Sequence, residues 1–290
     1  METCDFLLDK RLKELDPDLH QRFTDIVFVL QGMLIRFKNY FPEYTDHSEF
    51  HCMNVVNFCN NLIGAEQITR MNACEIYVLL VSCYLHDVGM ALTPDDYDEF
   101  RTKMNEEEYF QLWPDKDVAD FIRDNHHEFS ALFIRKYADL LEIPSEEFLF
   151  AVVQTCRGHR RTDLFDKQGY PEVLQIPGRG EVHLPYLSAL IRLADEIDVV
   201  ADRNPKLLYD IEALTDELQI AHNRLLAAVP NMTILPEQFV LDVRTDDQMV
   251  WLAVEKMAGK MQMTQDYCRG VAEACTPYRI SQKQVQLHRI

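Results

Sequence analysis

His86 and Asp87 close an apolar run, Ile76 to Leu85, just before Gly89. An imidazole and a carboxylate directed into an apolar interior are costly unless compensated, and a divalent cation is the compensation that uses both. Further polar residues of suitable type recur on apolar helical stripes: His51, His126, His159, Asp195 and Asp198. His51 shares a stripe with Val55, Phe58, Cys59 and Leu62. His47, four residues earlier, gives an HxxxH spacing that puts both rings on one side if the helix reaches back that far. His86 follows Cys83 by three and Asp87 follows it by four, so the pair flanks one stripe and can reach a common ion.

His126 continues the face of Val118, Ile122, Phe129 and Phe133, whereas His127 turns roughly 100 degrees away, toward a pocket rim or the solvated surface. His159 ends the stretch carrying Phe148, Leu149, Val152 and Cys156, and the neighbouring Arg157, Arg160 and Arg161 could hold phosphate oxygens or simply form a solvated basic patch. Asp195 follows Ile191 by four and Asp198 follows Ala194 by four, which turns both carboxylates inward, while Glu196 is spaced to pair with Arg192 on the exposed side. Taken singly, each histidine has an ordinary structural explanation, as a satisfied core ring or a helix-terminal imidazole near the dipole. Two inward aspartates without a cation would each need several hydrogen bonds or a proton.

The elements that must position these residues are helical. Only nine glycines occur, and apolar residues repeat at three and four. The pattern Phe23, Ile26, Val27, Leu30, Met33, Leu34, Phe37 marks an early packing helix, and further helices are expected at about 48–63, 72–87, 117–141, 146–158, 184–200 and 211–229. Turn residues and prolines place loops at 41–43, 93–96, 112–115 and 169–180. After residue 230 the texture changes to a strand at 238–243, a helix at about 249–274 and an extended stretch at 278–287. The expected fold is all-α, a helical bundle over residues 1–229 with a small α/β appendage over 230–290.

Composition narrows the function. With 290 residues and 47% apolar content the chain can bury a large core, and 29 basic against 48 acidic residues give a net charge of -19. That charge argues against an extended nucleic-acid surface, although local cations could still draw in a small anion. The N-terminal Met1 to Asp5 lacks the features of a leader, and no run of 18 uncharged apolar residues appears, so a soluble cytoplasmic protein without membrane contact is expected. The eight cysteines form no CxxC pair and fall mostly on apolar faces, as reduced core thiols do.

The ordered set His51, His86-Asp87, His126, His159, Asp195 resembles the HD-domain metal-dependent phosphohydrolases, and among their subgroups the HD-Ce type. Leu85-His86-Asp87-Val88-Gly89 and Leu193-Ala194-Asp195-Glu196-Ile197-Asp198 carry the resemblance most strongly, over about residues 44–203. It implies that His51, His86, Asp87 and Asp195 bind one ion, with Asp87 bridging to a second held also by His126 and His159. The HxxxH element is similar to that of cyclic-nucleotide phosphodiesterases, which makes His47 the candidate acid for the leaving oxygen. Nitrogen-rich ligation suits manganese, iron, zinc, cobalt or nickel, with magnesium also admissible. The implied substrate is a nucleotide or related small phosphoester. The rival is a regulatory or scaffolding module with a structural or vestigial metal site, and either a homo-oligomer or a partner for the C-terminal unit is compatible with the chain. Gly169-Tyr170-Pro171 resembles the signature of cyclic-dinucleotide phosphodiesterases, but the run that precedes it there is absent, and a turn is the expected structure.

Overall fold

The computed structural model describes residues 6–34, 36, 40–41, 49–199 and 217–290. Among these, helices dominate and strands are few and short, the mostly-α fold expected. The helices are α1 (Leu7–Leu15), α2 (Pro17–Leu34), α3 (Glu49–Arg70), α4 (Ala73–Leu85), α5 (Pro94–Lys103), α6 (Glu106–Leu112), α7 (Val118–Lys136), α8 (Glu146–Gly158), α9 (Leu184–Glu196), α10 (Glu217–Ala227) and α11 (Gln248–Cys275). The strands are β1 (Leu174–Ile176), β2 (Gly180–Val182), β3 (Asn231–Ile234), β4 (Gln238–Val243) and β5 (Gln284–Arg289).

α4 is the axis of the bundle. Every residue from Cys74 to Leu85 is buried, as a helix apolar on all sides requires, and α1, α2, α3, α8 and α9 pack around it. Asn72 starts it with a capping box, accepting from the backbone N–H of Cys74 and Glu75 while Glu75 reaches back to Asn72. Among the described residues only Ala73–Met90 is long and apolar enough to cross a membrane, and 94% of it lies inside the protein. Capping boxes also open α5 (Thr93 with Asp96) and α7 (Asp117 with Asp120), and Ser145 caps α8. α3 is interrupted at Gly64, whose φ of 74° suits a residue without a Cβ.

Element boundaries differ from the sequence expectation in ways with identifiable causes. α7 stops at Lys136 rather than 141, because the chain turns through Glu142 at φ 50°. α1, α5 and α6 form although their short apolar patterns gave no periodic signal, and the loop expected at 169–180 contains β1 and the start of β2, which pair as a hairpin. The expected helix at 211–229 is seen from Glu217 onward, its earlier part lying outside the described residues.

In the C-terminal unit β4 pairs antiparallel with β3 and parallel with β5, and α11 supplies the crossover between the parallel pair. This unit is keyed into the bundle. α11 packs along α9, the backbone of Arg279 exchanges two hydrogen bonds of 2.9 Å with the Gln67 side chain, and Tyr278 stacks on Tyr186 with ring centroids 4.8 Å apart. The Tyr278 hydroxyl donates to the buried Glu75 carboxylate at 2.7 Å, and His183 lies 2.7 Å from its other oxygen.

Candidate metal centre

Ligand candidates arrive from five helices. His51 comes from the first turn of α3 and His126 from the middle of α7; His86 and Asp87, His159, and Asp195 stand at the C-terminal ends of α4, α8 and α9. Three helix C-termini therefore converge on one point, and the partial negative charge each carries favours a cation there.

Two glycines permit the convergence. A Cβ on Gly89 would lie 2.3 Å from the His126 carbonyl oxygen and 2.6 Å from the Ser130 nitrogen, so only glycine lets the turn after Asp87 touch the α7 backbone. A Cβ on Gly158 would lie 2.4 Å from the Ser188 Cβ, so the residue before His159 sets how closely α8 meets α9. Ser130 locks the first contact, donating to the His86 carbonyl at 2.7 Å and accepting from the Gly89 N–H at 2.9 Å.

The rings are held by their far nitrogens. Nδ1 of His86, His126 and His159 lies 2.9, 2.6 and 2.5 Å from the carbonyl oxygens of Cys83, Arg123 and Cys156, each three residues earlier in its own chain segment. A carbonyl only accepts, so Nδ1 carries the proton and a neutral ring presents a bare Nε2 to the interior. His51 achieves the same through Asp198, whose carboxylate lies 2.6 Å from Nδ1 and is itself approached by Asn54 at 3.4 Å. Asp198 thus orients a candidate ligand rather than being one itself.

Two donor sets result, joined by Asp87. Its Oδ2 lies 3.4 Å from His86 Nε2 and 3.6 Å from His51 Nε2, which in turn is 3.4 Å from Asp195 Oδ1. Its Oδ1 lies 3.2 Å from His126 Nε2 and 3.5 Å from His159 Nε2. The bare nitrogens of His126 and His159 face one another at 2.8 Å, and those of His51 and His86 at 3.3 Å. Lone pairs so opposed repel unless something positive lies between them, and this donor chemistry fits a divalent ion in each set: His51, His86, Asp87 and Asp195 for one, Asp87, His126 and His159 for the other.

Burial and neighbouring charge shape the site further. All of these residues are buried except Asp195, which is 19% exposed and marks the mouth. Burial holds the His86 and His159 imidazoles below their usual range, as the Asp87 charge opposes it and neighbouring rings add to it. For Asp195 burial disfavours the charge, but the adjacent His51 ring outweighs it and holds the carboxyl well below the usual carboxylate range. His127, expected at the rim or surface, is buried too, and burial, followed by the neighbouring His126 ring and the charges of the three arginines, pushes it down to about 3.

The arginines separate. Arg157 is bound by Glu128, with Nε 2.9 Å from both carboxylate oxygens, and by Gln154 at 3.0 Å; Arg161 is exposed, 3.7 Å from Asp124. Arg160 is half-buried directly after His159. Glu196 pairs with Lys260 of α11 at 2.9 Å instead of Arg192, because Arg192 turns back to bind the carbonyls of Gly158 and Thr162 at 2.8 and 2.7 Å. That clamp fixes the end of α8, and like Ser130 and Asn54 it left no signal in the sequence, since each acts through tertiary contacts. Gly169-Tyr170-Pro171 belongs to a turn organised by Asp166, with Tyr170 bound to Thr162 at 2.9 Å. His47 lies outside the described residues.

A family model described as HD-CE matches residues 41–273 of the 290. No curated protein and no solved structure matches the chain.

Proposed function

The chain belongs to the HD-CE family, an HD-domain subgroup, and from that premise we propose that it is a metal-dependent phosphohydrolase or phosphodiesterase acting on a nucleotide or related small phosphoester. The observation that carries this reading is the pair of donor sets sharing Asp87, with each histidine oriented so that Nε2 faces inward. Ions bound there would lower the pKa of a shared water and offset charge on the entering and leaving oxygens of a phosphoester.

The chain's own groups prepare that chemistry. Asp87 fixes the spacing of the two halves, the backbone carbonyls of Cys83, Arg123 and Cys156 lock three rings, and Asp198 raises the basicity of His51 while holding its orientation. The surrounding apolar helices keep bulk water away and strengthen every charge interaction inside. Asp195 is the exposed member, so substrate would approach across its edge. Arg157, Arg160 and Arg161 are the candidates for phosphate oxygens, and His47 is the candidate proton donor to the leaving group.

The test is hydrolysis of a nucleotide and phosphoester panel by protein loaded separately with manganese, iron, cobalt, nickel, zinc or magnesium, compared with Asp87→Ala. Turnover that Asp87→Ala abolishes supports the proposal. A specific observation favours the second reading, a regulatory module with a structural metal: every ligand but Asp195 is nearly inaccessible. Bound metal without turnover under any loading would select it.

A further inference from the structure

Two groups beside the second donor set are not used by the ligands. Arg160 follows His159, and its guanidinium has no acceptor within hydrogen-bond or ion-pair distance among the described residues, unlike Arg157 with Glu128 or Arg161 near Asp124. Its charge acts on His127 of α7 and on Glu196 of α9. His127 is 8% exposed, and its buried Nδ1 has no hydrogen-bond partner among the described residues. Its ring centroid lies 6.0 Å from that of His126 and 6.4 Å from that of His159. Its other nitrogen lies 3.9 Å from Glu128 Oε1.

An unpartnered buried nitrogen is unfavourable without a ligand, and a half-buried guanidinium with no protein acceptor among the described residues is available to bind one. The chain carries a net charge of -19, so an unassigned cation at this position is not part of a general basic surface. A guanidinium presents paired N–H groups that match two oxygens of one phosphate, and a neutral imidazole adds one more directed hydrogen bond. We propose that His127 and Arg160 form a phosphate-holding subsite beside Asp87, His126 and His159, which deepens the hydrolase reading above by naming the residues that fix the substrate's phosphoryl group. Arg160 bridges the nonbridging oxygens, and His127 donates to an oxygen on the α7 side. The phosphate can belong to a nucleotide or to a sugar phosphate, since the subsite recognises the group they share.

The experiment measures binding of inorganic phosphate to the zinc-loaded full chain by calorimetry, with a nucleoside 5′-monophosphate and ribose 5-phosphate as separate arms that distinguish the two sources. Arg160→Ala is expected to weaken phosphate binding at least about tenfold, Arg160→Lys to restore part of it, and His127→Ala to weaken it about threefold or more, with metal content unchanged. Lys167→Ala, which removes an exposed cation paired with Glu172, controls for overall charge and is expected to leave affinity unchanged. In the parent protein, phosphate is expected to shift the His127 imidazole nitrogen resonances, which a purely structural histidine would not show. Phosphate affinities of Arg160→Ala and His127→Ala within twofold of the parent, at equal metal content, would overturn the subsite. If His127→Ala loses metal, Arg160→Ala and the imidazole shift decide in its place. Arg160-dependent phosphate binding with no turnover keeps the subsite and retires the hydrolase, whereas turnover with unaltered phosphate affinity does the reverse.

Discussion

Replacing Gly89 by alanine should separate the close packing of the site from every other effect of the substitution. Gly89 is not among the glycines with positive φ, so the backbone alone would welcome alanine, by about 0.4–1 kcal/mol through the unfolded chain. The added methyl, however, would sit 2.3 Å from the His126 carbonyl oxygen, 2.6 Å from the Ser130 nitrogen and 2.8 Å from the Phe129 Cβ. Two of the three are backbone atoms and cannot rotate aside. Recovering ordinary contact distances requires α7 to retreat by about 1 Å, and overpacking of this kind costs about 1–3 kcal/mol. The net expectation is a loss of about 1–2 kcal/mol. The same retreat would carry His126 away from Asp87 Oδ1, now 3.2 Å from its Nε2, and so weaken the second donor set while leaving the first. Urea denaturation and metal stoichiometry by mass spectrometry read the two effects together. Gly32→Ala in α2, where an added Cβ meets nothing within 4 Å, is the control and should be neutral or stabilising. A Gly89→Ala protein as stable as its parent and with the same metal content would refute the reasoning.

Asp198→Asn should lower metal affinity about 10- to 100-fold while leaving the fold intact, because His51 loses the carboxylate that sets its tautomer; competition with a chromogenic chelator measures it, and unchanged affinity would count against the role. Tyr278→Phe should cost about 1–3 kcal/mol in urea denaturation, since Glu75, wholly buried, loses one of its donors. Burial disfavours the Asp96 charge, but hydrogen bonds from Lys136, Thr93 and Tyr137 outweigh it and hold the carboxyl below its ordinary value. A depressed folded-state value means that stability is present above the unfolded value of about 4 and is lost as pH falls through the folded one. Asp96→Asn should therefore flatten the stability profile below about pH 4, and a parallel profile in the variant would argue against the assignment.

What was legible in the sequence follows from how each feature is encoded. His51, His86, Asp87, His126, His159 and Asp195 could be picked out because a polar residue on an apolar stripe is a local contradiction, visible from spacing alone, and the structure brings all six together. The strand at 238–243 and the long helix after it were equally readable from period, and α11 extends only one residue beyond the expected range at each end. His127 was not, because a 100-degree turn from His126 points to solvent only if no second helix covers that side, and α8 does. Ser130, Asn54 and Arg192 bind backbone or side chains far along the chain, and no local pattern announces such partners.

The tie of α3 and α4 to the segment after α11 bears on how the molecule assembles. Glu75 meets Tyr278 across 203 residues, and Gln67 meets Arg279 across 212. A nascent chain in which α4 has already emerged cannot complete these partnerships until the segment 203 and 212 residues further along has been synthesised. Closing so long a loop is slow, and until it closes the flat face of Tyr186 and a carboxylate meant for the interior stay open to solvent. Late-stage folding intermediates of this protein should accordingly be the species that molecular chaperones engage.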